Sequence, residues 1–173
     1  EGLDLGQPGG GEGLAIEVED EEGCLRFTLR GIRGVQVLPS PVWLQRRLGA
    51  MGLRPRNNLI DVTNYVTFEL GQPSHAYDLA KLGGGVVQVR RARPGETMTL
   101  LTGEVLELVP ADLLIATPTA DGGSEGVGLA GVMGGLDDSV SATTTDVALE
   151  VANFDPVTVR RAGQRHKLVT DAR

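Results

Sequence analysis

Few side chains in this sequence combine a reactive or polar group with a position from which it could act in a binding or catalytic site. The chain has two histidines, and one of them, His75, follows a glycine–proline turn from which a rigid support can aim its ring. Asn64 falls inside a predicted helix, where a buried amide needs hydrogen-bond partners. Glu150 stands in the apolar run Val147–Val151, where a buried carboxylate is costly unless it is paired or has a task. These three residues are the candidates for polar chemistry in a pocket.

Each candidate also has a plain structural alternative. From position alone, His75 is more often structural than functional, and Asn64 needs no explanation if it is exposed. Exposure at a strand edge is the slightly more common setting for a residue like Glu150. His166 lies between Arg165 and Lys167 in a basic segment, which indicates a surface residue.

The glycine-rich stretch 128–135 (GLAGVMGG) permits positive φ angles and close approach of the backbone to a ligand. It lacks the Gly-Lys-Ser/Thr ending of a phosphate loop and the dinucleotide-binding fingerprint. A tight turn packed under a sheet is the alternative. The sequence shows no serine triad, no paired-carboxylate motif and no Cys/His spacing typical of zinc, so we expect no metal site.

The elements that must position these residues are short. Alternation from Leu25 to Arg30 predicts a strand that resumes over 32–37, and Ser40-Pro41 predicts a helix start with Ser40 as the cap. A second helix is predicted over about Asn58–Leu70 with an apolar face, followed by a turn that contains His75. Further strands are predicted at 86–93, 97–101, 105–109, 113–116 and 147–151, with a polar loop at 117–126 and a final helix starting at Asp155-Pro156. The pattern is typical of the α+β class, with mixed sheets, flanking helices and a strand-rich centre.

Charge and composition bound the organisation of the chain. The net charge is −7, but residues 1–22 hold eight acidic residues and no Lys or Arg, so the remainder is close to neutral with a basic end at 160–173. We therefore predict an acidic linker or flexible tail at 1–22 and one domain at 23–173, and the balance neither excludes nor demands RNA. The single Cys24 and the absence of a signal or membrane-spanning pattern favour a cytoplasmic location. Both ends look like cuts from a longer polypeptide.

One segment carries a specific resemblance. Residues 57–78 read NNLIDVTNYVTFELGQPSHAYD and resemble, over a long ungapped stretch, the signature of bacterial phenylalanyl-tRNA synthetase beta subunits. Further blocks agree in order, and the similarity covers roughly residues 22–173. These blocks lie at 33–35, 40–48, 129–135, 149–150, 154–156 and 170–172.

The resemblance implies the editing module of that family, which has a mixed α/β structure. The module hydrolyses the ester of tRNA(Phe) mischarged with tyrosine, by a positioned water and without a covalent nucleophile. The implied catalytic residues near the ester are Thr63, Asn64 and His75. The implied substrate-binding residues are Glu150, Gly131, Ala130 and Pro73, with Glu150 and the Gly131 N–H on the tyrosine hydroxyl. The role of His75, in water orientation or in contact with the tRNA, stays open.

The same resemblance implies the setting of the module. Editing needs no cofactor, whereas ATP and magnesium serve only the full synthetase. The implied partners are the tRNA(Phe) acceptor end, the alpha subunit and the remaining beta-subunit domains of a heterotetramer, with no membrane. Aminoacylation by this fragment alone is not expected. A non-catalytic structural or tRNA-binding module is the alternative, and a freestanding trans-editing hydrolase is a third hypothesis that the cut-looking ends disfavour.

Two departures from the family pattern qualify the resemblance. The family continues beyond Thr-Asp-Ala, whereas this chain reads Ala172-Arg173 and ends. The 117–126 loop is longer than is usual in the family. Any pocket wall contributed by the continuation is therefore missing from this chain.

Overall fold

The computed structural model describes residues 13–137 and 139–169, which form ten strands and three helices. The strands are β1 Ala15–Val18, β2 Cys24–Arg33, β3 Ser74–Asp78, β4 Val86–Arg91, β5 Thr97–Thr99, β6 Val105–Glu107, β7 Leu113–Pro118, β8 Ser124–Leu129, β9 Met133–Gly134 and β10 Asp146–Phe154. The helices are α1 Val42–Ala50, α2 Asn58–Leu70 and α3 Pro156–Arg165, with 3-10 turns at Leu79–Lys81 and Gly83–Gly85.

The strands form three sheets. A five-stranded sheet has the order β1-β4-β7-β8-β9, with β1 and β4 parallel and the other pairs antiparallel. A three-stranded antiparallel sheet has β10 at its centre between β2 and β3, and β5 pairs with β6 in a small hairpin. The α+β class with mixed sheets and a strand-rich centre is confirmed.

The core lies on both faces of the five-stranded sheet. On β7, Leu113 and Ile115 pack into one apolar cluster with residues of the three-stranded sheet, such as Tyr77 and Ala148. Leu114, with the opposite orientation, belongs to a second cluster that the β5–β6 hairpin and α3 complete. A strand buried on both faces explains the continuous apolar run in the sequence.

The first helix begins differently from the prediction. Pro41 is the residue before α1, and no side chain caps the helix. The hydroxyl of Ser40 instead donates to the carboxylate of Asp61 at 2.5 Å, and the same carboxylate accepts the Arg56 N–H at 2.8 Å. Ser40 therefore ties the start of α1 to α2 and does not act as a cap.

The second helix has the predicted bounds because both of its ends carry strong signals. The Asn57 side chain accepts from the Ile60 N–H, and Gly71 closes the helix in the left-handed conformation with φ of 70°. The apolar face of this helix is not packed into the core: Leu70 is 72% exposed, and Asp61 is the buried residue of the helix. The side of α2 that faces inward lines a cavity and not the core.

Three other segments differ from the sequence-based expectations. His75 lies within strand β3 and not in a turn. The 117–126 segment is largely the β7–β8 hairpin, so the irregular loop shrinks to 119–123. Part of the predicted 1–22 linker is strand β1, which pairs in parallel with β4; residues 1–12 lie outside the described residues.

A buried polar cluster fixes the C-terminal helix. Asp112, which is fully buried, accepts hydrogen bonds from Arg165, from His166 Nε2 at 2.8 Å and from the Val109 N–H at 2.9 Å. The expectation that His166 is a surface residue is wrong, because its side chain is 8% exposed and paired with Asp112. The cluster holds the end of α3 against the loop that precedes β7.

We expect Asp112→Ala to lower the free energy of unfolding of the 173-residue chain by about 2–4 kcal/mol, because it leaves the buried His166 imidazole and the Val109 N–H without their acceptor and unpairs the partly exposed Arg165 guanidinium. Urea unfolding measures this loss. Asp137→Ala, at an exposed acidic residue, is the matched control and should lie within about 0.5 kcal/mol of the wild type. Equal stability of the two variants would show that the cluster contributes nothing.

Candidate functional site

A cavity of about 1250 Å³ lies between the inner side of α2, strand β3, the β8–β9 turn and α3. Its wall includes six of the residues that the sequence singled out, which are Thr63, Asn64, Pro73, His75, Gly131 and Glu150. Residues more than eighty positions apart in sequence are thus brought to one space.

Glu150 is the buried anion of this cavity. It sits on the central strand β10, with His75 as its cross-strand partner on β3 and Leu29 as its partner on β2. Its residual exposure is 7%, so the expectation of strand-edge exposure is wrong. Burial raises the pKa of the Glu150 carboxyl to about 7, and a hydrogen bond from Tyr77 opposes the rise. Burial of a carboxylate is energetically unfavourable, and nothing in the packing of the fold requires one here. Glu150 is therefore a candidate functional residue.

His75 faces the same space. Its ring makes an edge contact with Tyr77, with centroids 4.6 Å apart, and lies so close to Gly134 that a Cβ there would stand 2.8 Å from Cε1. Although part of the residue is exposed, burial of the ring lowers the pKa of His75 to about 4. The imidazole is therefore neutral at pH 7, and neither ring nitrogen hydrogen-bonds to a residue that the structure describes.

The unpaired polar atoms of His75 and Glu150 must reach the cavity. Among the described residues, Gln88 Oε1 is the one fully enclosed side-chain polar atom without a partner. The His75 nitrogens and Glu150 Oε1 have no hydrogen bond within the same part of the chain, so they retain access to a ligand or to water. Free donors and acceptors that converge on one cavity are the usual mark of a binding or reaction site.

The glycine-rich segment makes room for the His75 ring. A side chain at Gly134 would collide with His75, whereas a Cβ at Gly128 would make an ordinary contact, 3.6 Å from the Tyr77 hydroxyl. Gly131 adopts φ of +68° at the turn between β8 and β9. Its neighbours Ala130 and Val132 donate their N–H groups to backbone carbonyls, whereas the Gly131 N–H has no partner among the described residues. This turn thus leaves one backbone donor unused at the cavity wall.

The inner face of α2 supplies Thr63 and Asn64. The Thr63 hydroxyl donates to the Ile60 carbonyl at 2.8 Å, so its proton is committed to the helix and its oxygen can only accept. The Asn64 amide has no hydrogen bond to a described residue and lines the cavity, which leaves both its donor and its acceptor available.

Pro73 lines the cavity beside His75, but one predicted residue does not reach the cavity wall. Ala130 is 2% exposed and packs in the core beneath the turn, so the structure does not bring it to the cavity wall. The Thr170–Ala172 block lies outside the described residues.

Sequence reasoning missed Tyr77. This residue is 1% exposed and donates its hydroxyl to Glu150 Oε2 at 2.6 Å. The signal was present, because Tyr77 lies two residues after His75 and strand periodicity places both side chains on one face. It was missed because the segment was interpreted as a turn.

We expect Gly131→Ala to destabilise the chain by about 2–3 kcal/mol, because the residue combines a positive φ with a Cβ 2.7 Å from Val159 Cγ2. Gly103→Ala is the matched control, since its φ is +84° but nothing lies within 4 Å of its Cβ. The control should lose only the backbone cost of a Cβ in the left-handed conformation, about 1–2 kcal/mol. If urea unfolding shows equal losses of stability for Gly131→Ala and Gly103→Ala, the close contact between Gly131 and Val159 on α3 does not restrict this position.

The described residues hold no group of three or more His, Cys, Asp or Glu that could bind a metal ion. No helix in the same part of the chain is long and apolar enough to cross a membrane.

Comparison with known proteins gives one consistent family. The B3/4 domain model matches residues 23–173. The phenylalanine–tRNA ligase beta subunit of Anaeromyxobacter dehalogenans is 47% identical over 171 residues, which cover 99% of this chain and 21% of that protein. The beta subunit of Salinibacter ruber is 45% identical over 172 residues, which cover 98% of this chain and 20% of that protein. The chain thus spans about a fifth of the length of the curated relatives it matches.

A solved structure supports the fold. An N-terminal fragment of the phenylalanyl-tRNA synthetase beta subunit from Pyrococcus horikoshii superposes with a TM-score of 0.56. The match covers 86% of this chain and 45% of that chain at 10% identity, so it bears on the fold alone.

Proposed function

Because this chain belongs to the B3/4 domain family, and its curated relatives are phenylalanine–tRNA ligase beta subunits, we propose that it edits mischarged tRNA. The proposed reaction is hydrolysis of the ester between tyrosine and tRNA(Phe). The observation that carries the proposal is the buried Glu150 carboxylate in a cavity that His75 also lines.

The proposed selectivity rests on one hydroxyl. Tyrosine carries a phenol that can donate to the Glu150 carboxylate and accept from the free Gly131 N–H. Phenylalanine would leave both groups desolvated without partners, and a site built in this way can discriminate by roughly 10⁴–10⁵-fold. The correct product, Phe-tRNA(Phe), would then escape hydrolysis because it cannot satisfy the site.

The proposed chemistry uses a positioned water. An aminoacyl ester is already activated, so orientation of water and stabilisation of the oxyanion lower the barrier without a covalent nucleophile. The ring of His75, neutral at pH 7, has a nitrogen free to accept a proton from water in a hydrogen bond, and the Asn64 amide is free to donate to the developing oxyanion. With a pKa of about 4, His75 is a weak base, which favours orientation of the water over its deprotonation.

The cavity also suits the nucleic-acid part of the substrate. At about 1250 Å³ it exceeds the roughly 300–1,000 Å³ of common small-molecule pockets, which leaves space for a nucleotide beside the amino acid. Arg56 and Arg160 lie on its wall, and neither forms an ion pair with a residue that the structure describes. Their guanidinium groups are suited to phosphates of the tRNA acceptor end.

We place this activity within a larger ligase. The proposed partners are the alpha subunit and the other domains of the beta subunit, in the cytoplasm. Synthesis of Phe-tRNA(Phe), with its ATP and magnesium, is assigned to the rest of that assembly. The open cavity favours a hydrolase over a non-catalytic module, for which a filled or collapsed cavity is the natural expectation.

The test is deacylation by the complete ligase that carries this chain. Radiolabelled Tyr-tRNA(Phe) should be hydrolysed well above the spontaneous rate, whereas Phe-tRNA(Phe), the matched control substrate, should remain at that rate. Equal hydrolysis of the two esters would remove the selectivity argument. No enzyme-dependent hydrolysis of Tyr-tRNA(Phe) would favour the non-catalytic module.

A further inference from the structure

Tyr77 connects the two polar residues of the proposed site. Its ring packs against His75 at an interplanar angle of 68°, and its hydroxyl donates to Glu150 Oε2 at 2.6 Å. In the strand register Glu150 faces His75, and Tyr77 faces Ala148, so Tyr77 is the diagonal neighbour of Glu150 on the same side of the sheet. The hydroxyl is therefore held in place by the sheet itself.

The hydrogen bond from Tyr77 engages only one of the two carboxylate oxygens of Glu150. Tyr77 occupies Oε2, and no described residue hydrogen-bonds to Oε1, although the Glu150 side chain lines the cavity. A glutamate side chain without such a partner samples several rotamers, and ordering it upon ligand binding costs free energy. Tyr77 has little freedom of its own, since it is 1% exposed and packed against His75.

We propose that Tyr77 is a positioning residue for substrate selection, which holds Oε2 of Glu150 so that Oε1 is aimed at the hydroxyl of a bound tyrosyl group. This inference rests on the proposed function and assigns a further residue to its selectivity. The internal phenol and the substrate phenol then donate to different oxygens of one carboxylate, so they do not compete. A carboxylate can accept both, because its two oxygens offer about four acceptor positions.

The first test removes one atom. In the complete ligase, Tyr77→Phe keeps the ring and its contact with His75 and deletes only the hydroxyl. We expect KM for hydrolysis of Tyr-tRNA(Phe) to rise about tenfold, the order expected for loss of a hydrogen bond to a charged group, with kcat within about twofold of the wild type. Tyr65→Phe, in helix α2 outside the cavity wall, is the matched control and should leave both constants unchanged.

The second test asks whether Tyr77 acts through Glu150. If it does, Tyr77→Phe should cause no further rise in KM when Glu150 is already glutamine, so the double variant should resemble Glu150→Gln. A purely structural role for Tyr77 would instead give multiplicative losses, together with a fall in kcat. Multiplicative losses would overturn the inference.

The pH dependence gives an independent readout. The titratable groups that face Glu150 are His75 and Tyr77 on β3 and Cys24 on β2. Burial moves the pKa of His75 to about 4 and that of Cys24 to about 11, so neither changes charge between pH 6 and 8. Because the Tyr77 hydrogen bond lowers the pKa of Glu150, its removal should move the fall of KM with pH toward more alkaline values.

The outcomes separate this inference from the proposed function. If Glu150→Gln and His75→Ala impair hydrolysis but Tyr77→Phe matches the wild type at every pH, only the role of Tyr77 is overturned. If the wild-type ligase does not hydrolyse Tyr-tRNA(Phe), both proposals fall.

Discussion

Glu150→Gln should lower kcat/KM for hydrolysis of Tyr-tRNA(Phe) about a hundredfold and, at the same time, make the chain more stable at pH 8. The loss of activity follows from replacing the charged acceptor of the substrate hydroxyl by a neutral amide in a desolvated site, where such a change costs roughly 2–5 kcal/mol. Tyr77 can still donate to the Gln carbonyl, so the local structure is retained. A residue whose removal stabilises the fold and abolishes the activity is held there for function.

The stability gain has a defined sign and pH window. Burial raises the pKa of Glu150 from its ordinary 4.5 to about 7, so the native state retains its proton where the unfolded chain has lost it. Stability therefore falls as pH rises from about 4.5 to about 7, by about 3 kcal/mol in total. Glutamine has no charge to bury, so the advantage of Glu150→Gln should be full above pH 7 and absent below about pH 4.5.

Two measurements check this prediction. Urea unfolding of the 173-residue chain at pH 5 and pH 8 gives the stability difference, with Glu107→Gln as a control at an exposed glutamate of β6. Deacylation by the complete ligase between pH 6 and 8 gives the second result. In the wild type kcat/KM should rise with pH as Glu150 ionises, and in the variant the profile should be flat. A variant less stable than the wild type at pH 8, with normal hydrolysis, would show that Glu150 is structural.

His75→Ala should lower kcat for Tyr-tRNA(Phe) hydrolysis by about a hundredfold with a smaller change in KM. The reason is loss of the group that orients the attacking water, and positioned hydrogen-bonding groups of this kind contribute roughly 10²–10⁴-fold. Because the pKa of His75 is about 4, the ring stays neutral from pH 5 to 8, so the wild-type rate should show no titration that belongs to this residue.

Two further substitutions separate hydrogen bonding from packing at this position. His75→Asn keeps a donor and an acceptor and should retain part of the activity. His75→Phe keeps a ring against Tyr77 and Gly134 but has no nitrogen, and it should be as inactive as His75→Ala. Full activity of His75→Phe would limit His75 to a packing role. A change in KM alone would assign it to tRNA contact.

The parts of the fold that local chemistry decides were predicted well. Helix α2 has the predicted bounds because Asn57 and Gly71 are strong end signals, and α3 begins at Pro156 because Asp155 accepts from the Thr158 N–H. The long strand β10 also lies where an apolar run predicted it. In each case the interactions among a few adjacent residues are strong enough to set where the element begins or ends.

Predictions failed where the environment of a residue depends on partners that are distant in sequence. Ser40 pairs with Asp61 and does not cap its own helix, and His166 is held by Asp112 from a loop about fifty residues earlier. On α2, Val62 and Leu70 of the apolar face are exposed, and a different side of the helix, which carries Thr63 and Asn64, forms the wall of the cavity. The partners of these residues are distant in sequence, so the pattern of neighbouring residues does not reveal them. A prediction from that pattern therefore places such residues in caps, at the surface or in the core.

The sequence by itself determined the type of most main elements, the family resemblance and six polar or backbone groups of the cavity wall, at Thr63, Asn64, Pro73, His75, Gly131 and Glu150. Only the tertiary structure decided that Glu150 is buried at the centre of its sheet, that Ala130 lies beneath the wall, and that Tyr77 holds the carboxylate. The physical reason is that burial and cross-strand partnership depend on how β10 pairs with β2 and β3, strands that lie about seventy or more residues earlier in the chain. Composition and spacing identify the candidate polar groups, and the fold determines which of them already have hydrogen-bond partners within the protein.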